Sequence, residues 1–278
     1  MSAAAHKAAG PGWQAKLTLG FRVSGSRTVL ADRQRYGPLG VQRAFYPEGP
    51  VCHVYLLHPP GGVVGGDSLT VDVRVDDDAH ALITTPGATK FYRSAGATAG
   101  QTQHLSVEAD AVLEWLPQEN IFFPGAEVAL NTQVHLHADA RLAIWEINCL
   151  GRPVIGEAFE TGSLDSRLSI FRDGQPVIFE RLRLSPESRQ RCAQMAGLPV
   201  TGTLVISHAD DAALSVARAL LPVDENGHTA ATLIDDCLLV RYLGTSTEQA
   251  RNAFTAVWQH LRSVTMGREA SLPRIWAT

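Results

Sequence analysis

A glycine-rich segment at residues 58–70, HPPGGVVGGDSLT, is the most unusual stretch of the chain, and its last glycine precedes Asp67. A phosphate-binding P-loop needs a lysine after that glycine, whereas Asp67 supplies a carboxylate that would repel phosphate. GGVVGG also lacks the GxGxxG spacing of dinucleotide sites. The glycines therefore predict a tight backbone path that presents Asp67 at a defined position, not a nucleotide site.

A second polar segment at residues 84–94, TTPGATKFYRS, brings hydroxyl and basic residues together, among them Thr84, Thr89 and Lys90. Lys90 could form a Schiff base in a catalytic site. Alternatively, its ammonium group forms a salt bridge while its stem packs on aromatic rings. The residues alone leave both roles open.

A third segment at residues 113–127, LEWLPQENIFFPGAE, mixes Trp115, Phe122 and Phe123 with Glu119. Exposed aromatic rings beside acids are typical of a surface that binds a partner protein. The same residues could equally form a buried aromatic cluster under a loop.

Two further acids interrupt apolar strands, since Glu146 follows Trp145 and Glu180 follows Phe179. A carboxylate in such a place must be paired, hydrogen-bonded or protonated, because burying it alone is costly. Arginine is abundant in the chain, so an arginine–carboxylate pair is the simple expectation for Glu180. We expect Asp67, Glu146 and Glu180 to be shielded from bulk solvent, as candidates for the wall of an internal cavity.

Common catalytic motifs do not occur in the sequence. There is no GxSxG nucleophile elbow and no HExxH zinc motif. His135 and His137 lie on one face of a predicted strand and could ligate a metal, but such a pair is also typical of an exposed strand. No nucleophile, base and oxyanion donor can be assembled, so the sequence predicts a protein that is not an enzyme.

Composition predicts a globular protein with an ample core. Of 278 residues, 45% are hydrophobic and 19% charged, and the net charge of −4 argues against a nucleic-acid binder. No apolar run is long enough for a membrane span, and the first residues lack the apolar stretch of a signal peptide. None of the four cysteines forms a CxxC motif, which favours reduced thiols in a cytoplasmic protein.

Strand patterns dominate the first two thirds of the chain. Apolar and polar residues alternate over residues 15–23, 71–76 and 128–136, which predicts strands with one buried face. Asp173 and Gly174 lie between two apolar runs at residues 168–171 and 177–182, and predict a hairpin turn.

A weak internal repeat links these strands. VDDDAHALITTP, VEADAVLEWLPQ and LHADARLAIWEI each carry an Asp-Ala pair, at Asp78, Asp110 and Asp139, with spacings of 32 and 29 residues. Recurring strand–turn–strand units at this period predict the stacked coils of a β-solenoid, or a sandwich of similar hairpins. We expect the three aspartates to lie in turns at equivalent places.

The last eighty residues change character. Helical spacing of apolar residues predicts helices at residues 210–221 and 247–266, the second with a buried stripe that ends at Val264. Residues 201–207 and 231–242 are predicted strands. We therefore expect a single domain over residues 1–278. Within it, a mainly β core (12–190) carries an α+β flank (200–278) with two C-terminal helices.

Four strings of the sequence closely resemble the UreD family of urease accessory proteins, called UreH in some organisms. HPPGGVVGGD, PGATKFYRS, LEWLPQENIFFPGA and CLGRPVIGE carry the resemblance, which runs from Gly12 to Trp276. It implies a β-helical fold and a scaffold that binds UreF directly and UreG through UreF, and docks on apo-urease. It also implies nickel passing through an internal channel, with no tightly bound cofactor.

The family motifs imply ion-path candidates at Asp67, Thr84, Thr89, Lys90, Glu146 and Glu180, with Asp67 and Glu146 as transient nickel ligands. Oxygen ligands suit a divalent ion that must be released again. Two alternatives stay open. One is a β-helical enzyme that uses Asp67 and Glu146 as paired carboxylates, and the other is a docking module with no ion path.

Overall fold

The chain folds as a β-solenoid of about four coils, with a helical layer against one side. This computed structural model describes residues 12–222 and 227–277. The expectation about the first residues falls on positions 1–11 and lies outside the described residues. The mainly β class and the solenoid predicted from the repeat are confirmed.

One sheet has seven strands, and its five central strands are parallel. Each central strand comes from a successive coil, in the order β1, β5, β8, β11 and β14, and an antiparallel strand adds at each end. The strands are β1 (Gln14–Ser24), β2 (Arg27–Tyr36), β5 (Ser68–Val75), β8 (Ala99–Val107), β11 (Glu127–Leu136), β14 (Ser163–Arg172) and β15 (Gln175–Leu184).

The second sheet continues the same coils on the opposite side and then extends into the C-terminal region. Its strands are β3 (Gly40–Val41), β4 (Cys52–Leu57), β6 (His80–Thr84), β9 (Val112–Trp115), β12 (Arg141–Arg152), β16 (Val200–Ile206), β17 (His228–Ile234) and β18 (Cys237–Gly244). Three short strands complete it: β7 (Thr89–Phe91), β10 (Asn120–Phe122) and β13 (Glu157–Ala158). Since β16 pairs with β12, the predicted boundary near residue 190 crosses a continuous sheet. The division at that boundary stays a prediction.

The three Asp-Ala pairs lie in equivalent turns, as predicted. In each turn the amide of the buried alanine donates to the carbonyl three residues earlier, at Ala79, Ala111 and Ala140. The turns also stack, because the Val112 amide donates to the Ala79 carbonyl and the Arg141 amide to the Ala111 carbonyl. The predicted hairpin at Asp173 and Gly174 joins β14 to β15, and so is confirmed.

Both predicted helices form, as α1 (Asp211–Leu220) and α2 (Thr247–Thr265). Asp210 and Ser246 cap them by accepting hydrogen bonds from the Ala213 and Gln249 amides. Short 3₁₀ helices occur at Pro153–Ile155, Ser188–Gln190 and Arg274–Ala277. Neither α-helix in the described part of the chain combines the length and apolarity needed to cross a bilayer.

Two sequence expectations about this flank are wrong. Residues 231–242 are not one strand, because a turn at Asp235 and Asp236 divides them between β17 and β18. Asp235 has a φ of 51°, which an aspartate tolerates better than most side chains. Val264, expected on the buried stripe of α2, is 67% exposed.

The core has two parts. Inward side chains of the two solenoid sheets form the first, and the second lies between the second sheet and the two helices. Side chains that alternate along β5 and β11 point into the first part, which agrees with the period-two pattern. This first part is not fully packed, and the gap in it is the candidate site.

Candidate functional site

A cavity of about 230 Å³ lies inside the solenoid, between the two sheets. Leu69, Val71 and Ile144 form part of its apolar wall. Polar side chains from both sheets and two loops also line it: His58, Thr89, Lys90, Gln101, Gln103, Asn120, Thr132 and Glu146. The interior of the coil is therefore a polar space as well as a hydrophobic core.

Glu146 projects into this cavity from β12 and is held by a hydrogen-bonded network. Its Oε1 accepts hydrogen bonds from Asn148 Nδ2 at 2.6 Å and from Ser166 Oγ at 2.7 Å. Asn148 Oδ1 in turn accepts from Asn120 Nδ2 at 3.1 Å, because Asn120 and Asn148 are paired across parallel strands. The network fixes one carboxylate oxygen of Glu146.

Burial raises the pKa of Glu146, and the nearby negative charge of Glu180 raises it further. Hydrogen bonds from Ser166 and Asn148 oppose these effects by stabilising the ionised form, but they do not cancel them. A cation in the cavity would favour the ionised carboxylate. Glu146 is half-buried and lines the cavity, and its place on an ion path stays a prediction.

Glu180 lies on β15, where it is half-buried and does not line the cavity, and it is paired with an arginine as expected. Arg241 Nε donates to Glu180 Oε1 at 3.1 Å, and Arg241 Nη2 contacts the same oxygen. Thr203 Oγ1 donates to Glu180 Oε2 at 3.0 Å. Both oxygens of Glu180 are thus engaged.

Asp67 is buried, as predicted, but it does not line the cavity. Its Oδ1 accepts from the Trp13 amide at 2.8 Å and its Oδ2 from the Val64 amide at 2.9 Å. The glycines permit this close path: a Cβ on Gly12 would lie 2.1 Å from the carbonyl carbon of Gly66, whose φ is +92°. Asp67 therefore links Trp13, which precedes strand β1, to Val64 of the glycine-rich loop.

The three candidates of the second polar segment separate in the structure. Thr89 and Lys90 line the cavity, with Lys90 exposed at its rim. Thr84 is buried away from it, where its Oγ1 donates to the Leu116 carbonyl at 2.6 Å and accepts from Trp276 Nε1 at 2.9 Å. The position of Thr84 supports a structural role and not a role on the ion path.

Two of the four candidates for a partner surface lie in the core, as the alternative of a buried aromatic cluster predicts. Trp115 and Phe122 are buried in the core at 2% and 0% exposure, so they are not available to a partner in this conformation. The run is apolar because strands β9 and β10 face the interior. Phe123 is partly exposed and packs between Tyr92 and the Arg152 guanidinium. Glu119 lies 3.9 Å from Arg251 of α2.

The histidine pair does not form a metal site. His135 stacks on Phe171, and His137 Nδ1 lies 3.9 Å from Asp139. Within residues 12–222 and 227–277, no group of three histidine, cysteine, aspartate or glutamate side chains is arranged to hold a metal ion. All four cysteines are free thiols.

Sequence reasoning missed several polar residues of the interior. Gln101 and Gln103 occupy inward positions of β8, where the alternation calls for apolar side chains. That interruption was a usable signal. His58, at the start of the glycine-rich string, also lines the cavity, and burial lowers its pKa despite the opposing charge of Asp67. Arg241 gave no signal, because its partner lies 61 residues away in sequence.

Comparison with known proteins identifies the family. The family model for the UreD urease accessory protein matches residues 14–277. The urease accessory protein UreD of Klebsiella aerogenes is 48% identical over 268 residues, covering 96% of this chain and 97% of that protein. UreD of Alcanivorax borkumensis is 47% identical over 273 residues, covering 96% of this chain and 93% of that protein. The solenoid with its polar interior therefore belongs to the UreD family of urease accessory proteins.

Proposed function

We propose that this protein is a non-catalytic scaffold for the maturation of nickel urease in the cytoplasm. It binds UreF directly, reaches UreG through UreF, and docks on apo-urease. Family membership over nearly the whole chain supports this role. The nickel ion is cargo, and the protein holds no tightly bound cofactor.

The observation that carries the ion-path part of the proposal is the cavity inside the solenoid with Glu146 in its wall. Thr89, Asn120 and Thr132 add hydroxyl and amide oxygens to that wall. Oxygen ligands hold a borderline divalent ion such as Ni²⁺ more weakly than a thiolate–imidazole cage would. Weak ligands suit a path, because an ion that binds too tightly is not released.

Two other functions are supported less well. An enzyme with Asp67 and Glu146 as paired carboxylates would need both groups at one site, whereas Asp67 lies off the cavity with both oxygens engaged by amides. A docking module without an ion path gives no reason for the Glu146 carboxylate in the wall of the cavity. The experiment below distinguishes this module from the proposed path.

The test is urease activation with UreF, UreG and apo-urease by the Glu146→Gln variant. Glutamine keeps an Oε1 that can accept the hydrogen bonds from Ser166 and Asn148, but it removes the carboxylate charge. We expect normal co-purification with UreF and apo-urease, and a lower nickel content of urease measured by metal analysis. Asp139→Asn is the control, since that side chain is 69% exposed on an outer turn.

Three outcomes would contradict parts of the proposal. Normal nickel content with Glu146→Gln would leave a docking module without an ion path. Loss of the complex in this variant would mean that Glu146 is structural. Failure of the wild-type chain to co-purify with UreF would contradict the scaffold itself.

A further inference from the structure

A second space lies against strands β16, β17 and β18 of the second sheet. It is a groove of about 230 Å³ lined by Thr201, Thr203, His228 and Arg241, with Gln194 at its side. The Arg241 side chain is 46% exposed, so the groove is in contact with solvent. The cavity therefore lies between the two sheets, whereas the groove lies at the surface of the molecule.

A single row of side chains leads from the cavity to the groove. Glu146 on β12 is paired with Thr203 on β16, and Thr203 is paired with Arg241 on β18. Residues directly opposite in neighbouring strands share one face of a sheet, with Cβ atoms about 5 Å apart. Glu146 lines the cavity, whereas Thr203 and Arg241 line the groove.

The side chain of Glu180, on β15 of the first sheet, contacts this row on the second sheet. It is paired in register with Leu168, whose side chain lines the cavity, and it accepts from Thr203 and Arg241. The negative charge of Glu180 raises the pKa of Glu146, which means that the two carboxylates interact electrostatically. The Arg241 guanidinium thus binds Glu180 two strands away from Glu146, with Thr203 between them in the row.

We propose that Arg241 is a tethered competing cation, which occupies the cation position at Glu180 between the cavity and the groove. A divalent ion passes this point only by displacing the guanidinium, and the returning guanidinium displaces the ion. This inference rests on the proposed function and adds a residue that sets how tightly the path holds its ion.

Electrostatics gives the reason for such a residue. Two carboxylates near each other attract a divalent cation more strongly than either does alone, and without a competing charge they would retain it. The guanidinium neutralises one of them in the resting state. A partly exposed ion pair contributes little to stability in water, so the Glu180–Arg241 pair can open readily. Arginine is also always charged, so the competitor is present at any physiological pH.

The test is the affinity of the isolated full chain for Ni²⁺, measured by calorimetric titration. Arg241→Met keeps the aliphatic stem and removes the charge, and we expect Ni²⁺ binding to tighten about tenfold or more. Glu180→Gln combined with Arg241→Met should return the affinity to the wild-type value. Arg181→Met is the matched control, because Arg181 follows Glu180 on β15 but its guanidinium donates to Asp165.

Arg241→Lys provides a second variant if the methionine substitution impairs folding, which circular dichroism would report. Lysine retains the charge without the fork of donors, so we expect the affinity to stay within about threefold of wild type. Unchanged affinity in folded Arg241→Met, or tighter binding that persists with Glu180→Gln, would overturn the inference. Since these titrations use the chain alone, their outcome is separate from that of urease activation by Glu146→Gln.

Discussion

Arg262 of helix α2 binds both carboxylate oxygens of Glu114 of strand β9, 148 residues earlier in the chain. Its Nη1 and Nη2 also donate to the Glu48 carboxylate at 2.7 and 2.8 Å. The Arg262 side chain and that of Glu114 are both 0% exposed. Trp258 Nε1 and His80 Nε2 complete the partners of Glu114, each at 2.6 Å. This buried cluster ties the helical layer to the solenoid.

Removing the Arg262 charge should destabilise the protein strongly. Arg262→Met leaves the Glu48 and Glu114 carboxylates buried together, and breaking a buried pair in this way costs about 3–5 kcal/mol. Urea unfolding followed by tryptophan fluorescence would measure the loss. Arg251→Met on the same helix is the control. Its partly exposed guanidinium donates to Gln118, so we expect a loss below about 1 kcal/mol. Equal losses would contradict the importance of the cluster.

Stability should fall in acid because of Glu114. Burial opposes its ionisation, but hydrogen bonds and charge from His80 and Arg262 outweigh burial and lower its pKa from 4.5 to about 2. A pKa lower in the folded state gives stability that is present above pH 4.5 and is lost as the pH falls towards 2. The free energy of unfolding of wild type, measured from pH 5 to pH 2, should therefore drop more steeply than that of Glu114→Gln. Parallel curves would contradict the assignment of this loss of stability to Glu114.

Asp67 should matter for the fold rather than for the ion. In Asp67→Asn the side-chain NH₂ group replaces one of two oxygens that accept backbone hydrogen bonds, which leaves an amide without its acceptor. An unsatisfied buried donor costs about 1–3 kcal/mol. We expect a lower unfolding midpoint, with nickel delivery per folded molecule unchanged. A folded variant with impaired delivery would restore Asp67 as an ion-path residue.

The stacked turns offer a test with an internal control. Asp110 has a φ of 53°, in the left-handed region, whereas Asp139 at the equivalent turn position is not in that region. Valine disfavours a positive φ, and we expect Asp110→Val to cost about 1–2 kcal/mol more than Asp139→Val. Thermal unfolding of the two variants would measure the difference. Similar costs would mean that the backbone conformation does not distinguish the coils.

Local patterns in the sequence carried much of the fold. Alternation identified strands such as β1, β5 and β11, and the Asp-Ala pairs identified the coils, because both are repeated short-range features. The hairpin at residues 231–242 was missed, since its turn has two aspartates and no glycine.

The site was less predictable, because its groups meet across long sequence separations. Glu146 was recognised as an anomaly in an apolar strand, but its partner Ser166 could not be assigned from spacing, and neither could Arg241 as the partner of Glu180. Trp115 and Phe122 illustrate the opposite error. An aromatic run with acids is the same string whether its strands face solvent or the interior, and only the path of the coils decides which.

The two antiparallel end strands of the first sheet have a consequence for association. A stack of parallel coils presents the same backbone template at each end, and copies of the chain could add to it indefinitely as a fibre. Here β2 pairs with β1 and β15 pairs with β14 in the antiparallel direction, so each end of the sheet has a reversed strand. Arg33 and Arg35 on β2, and Arg181 and Arg183 on β15, add charge at these ends. The reversed strands and their charges disfavour the addition of a further parallel coil at either end of this sheet.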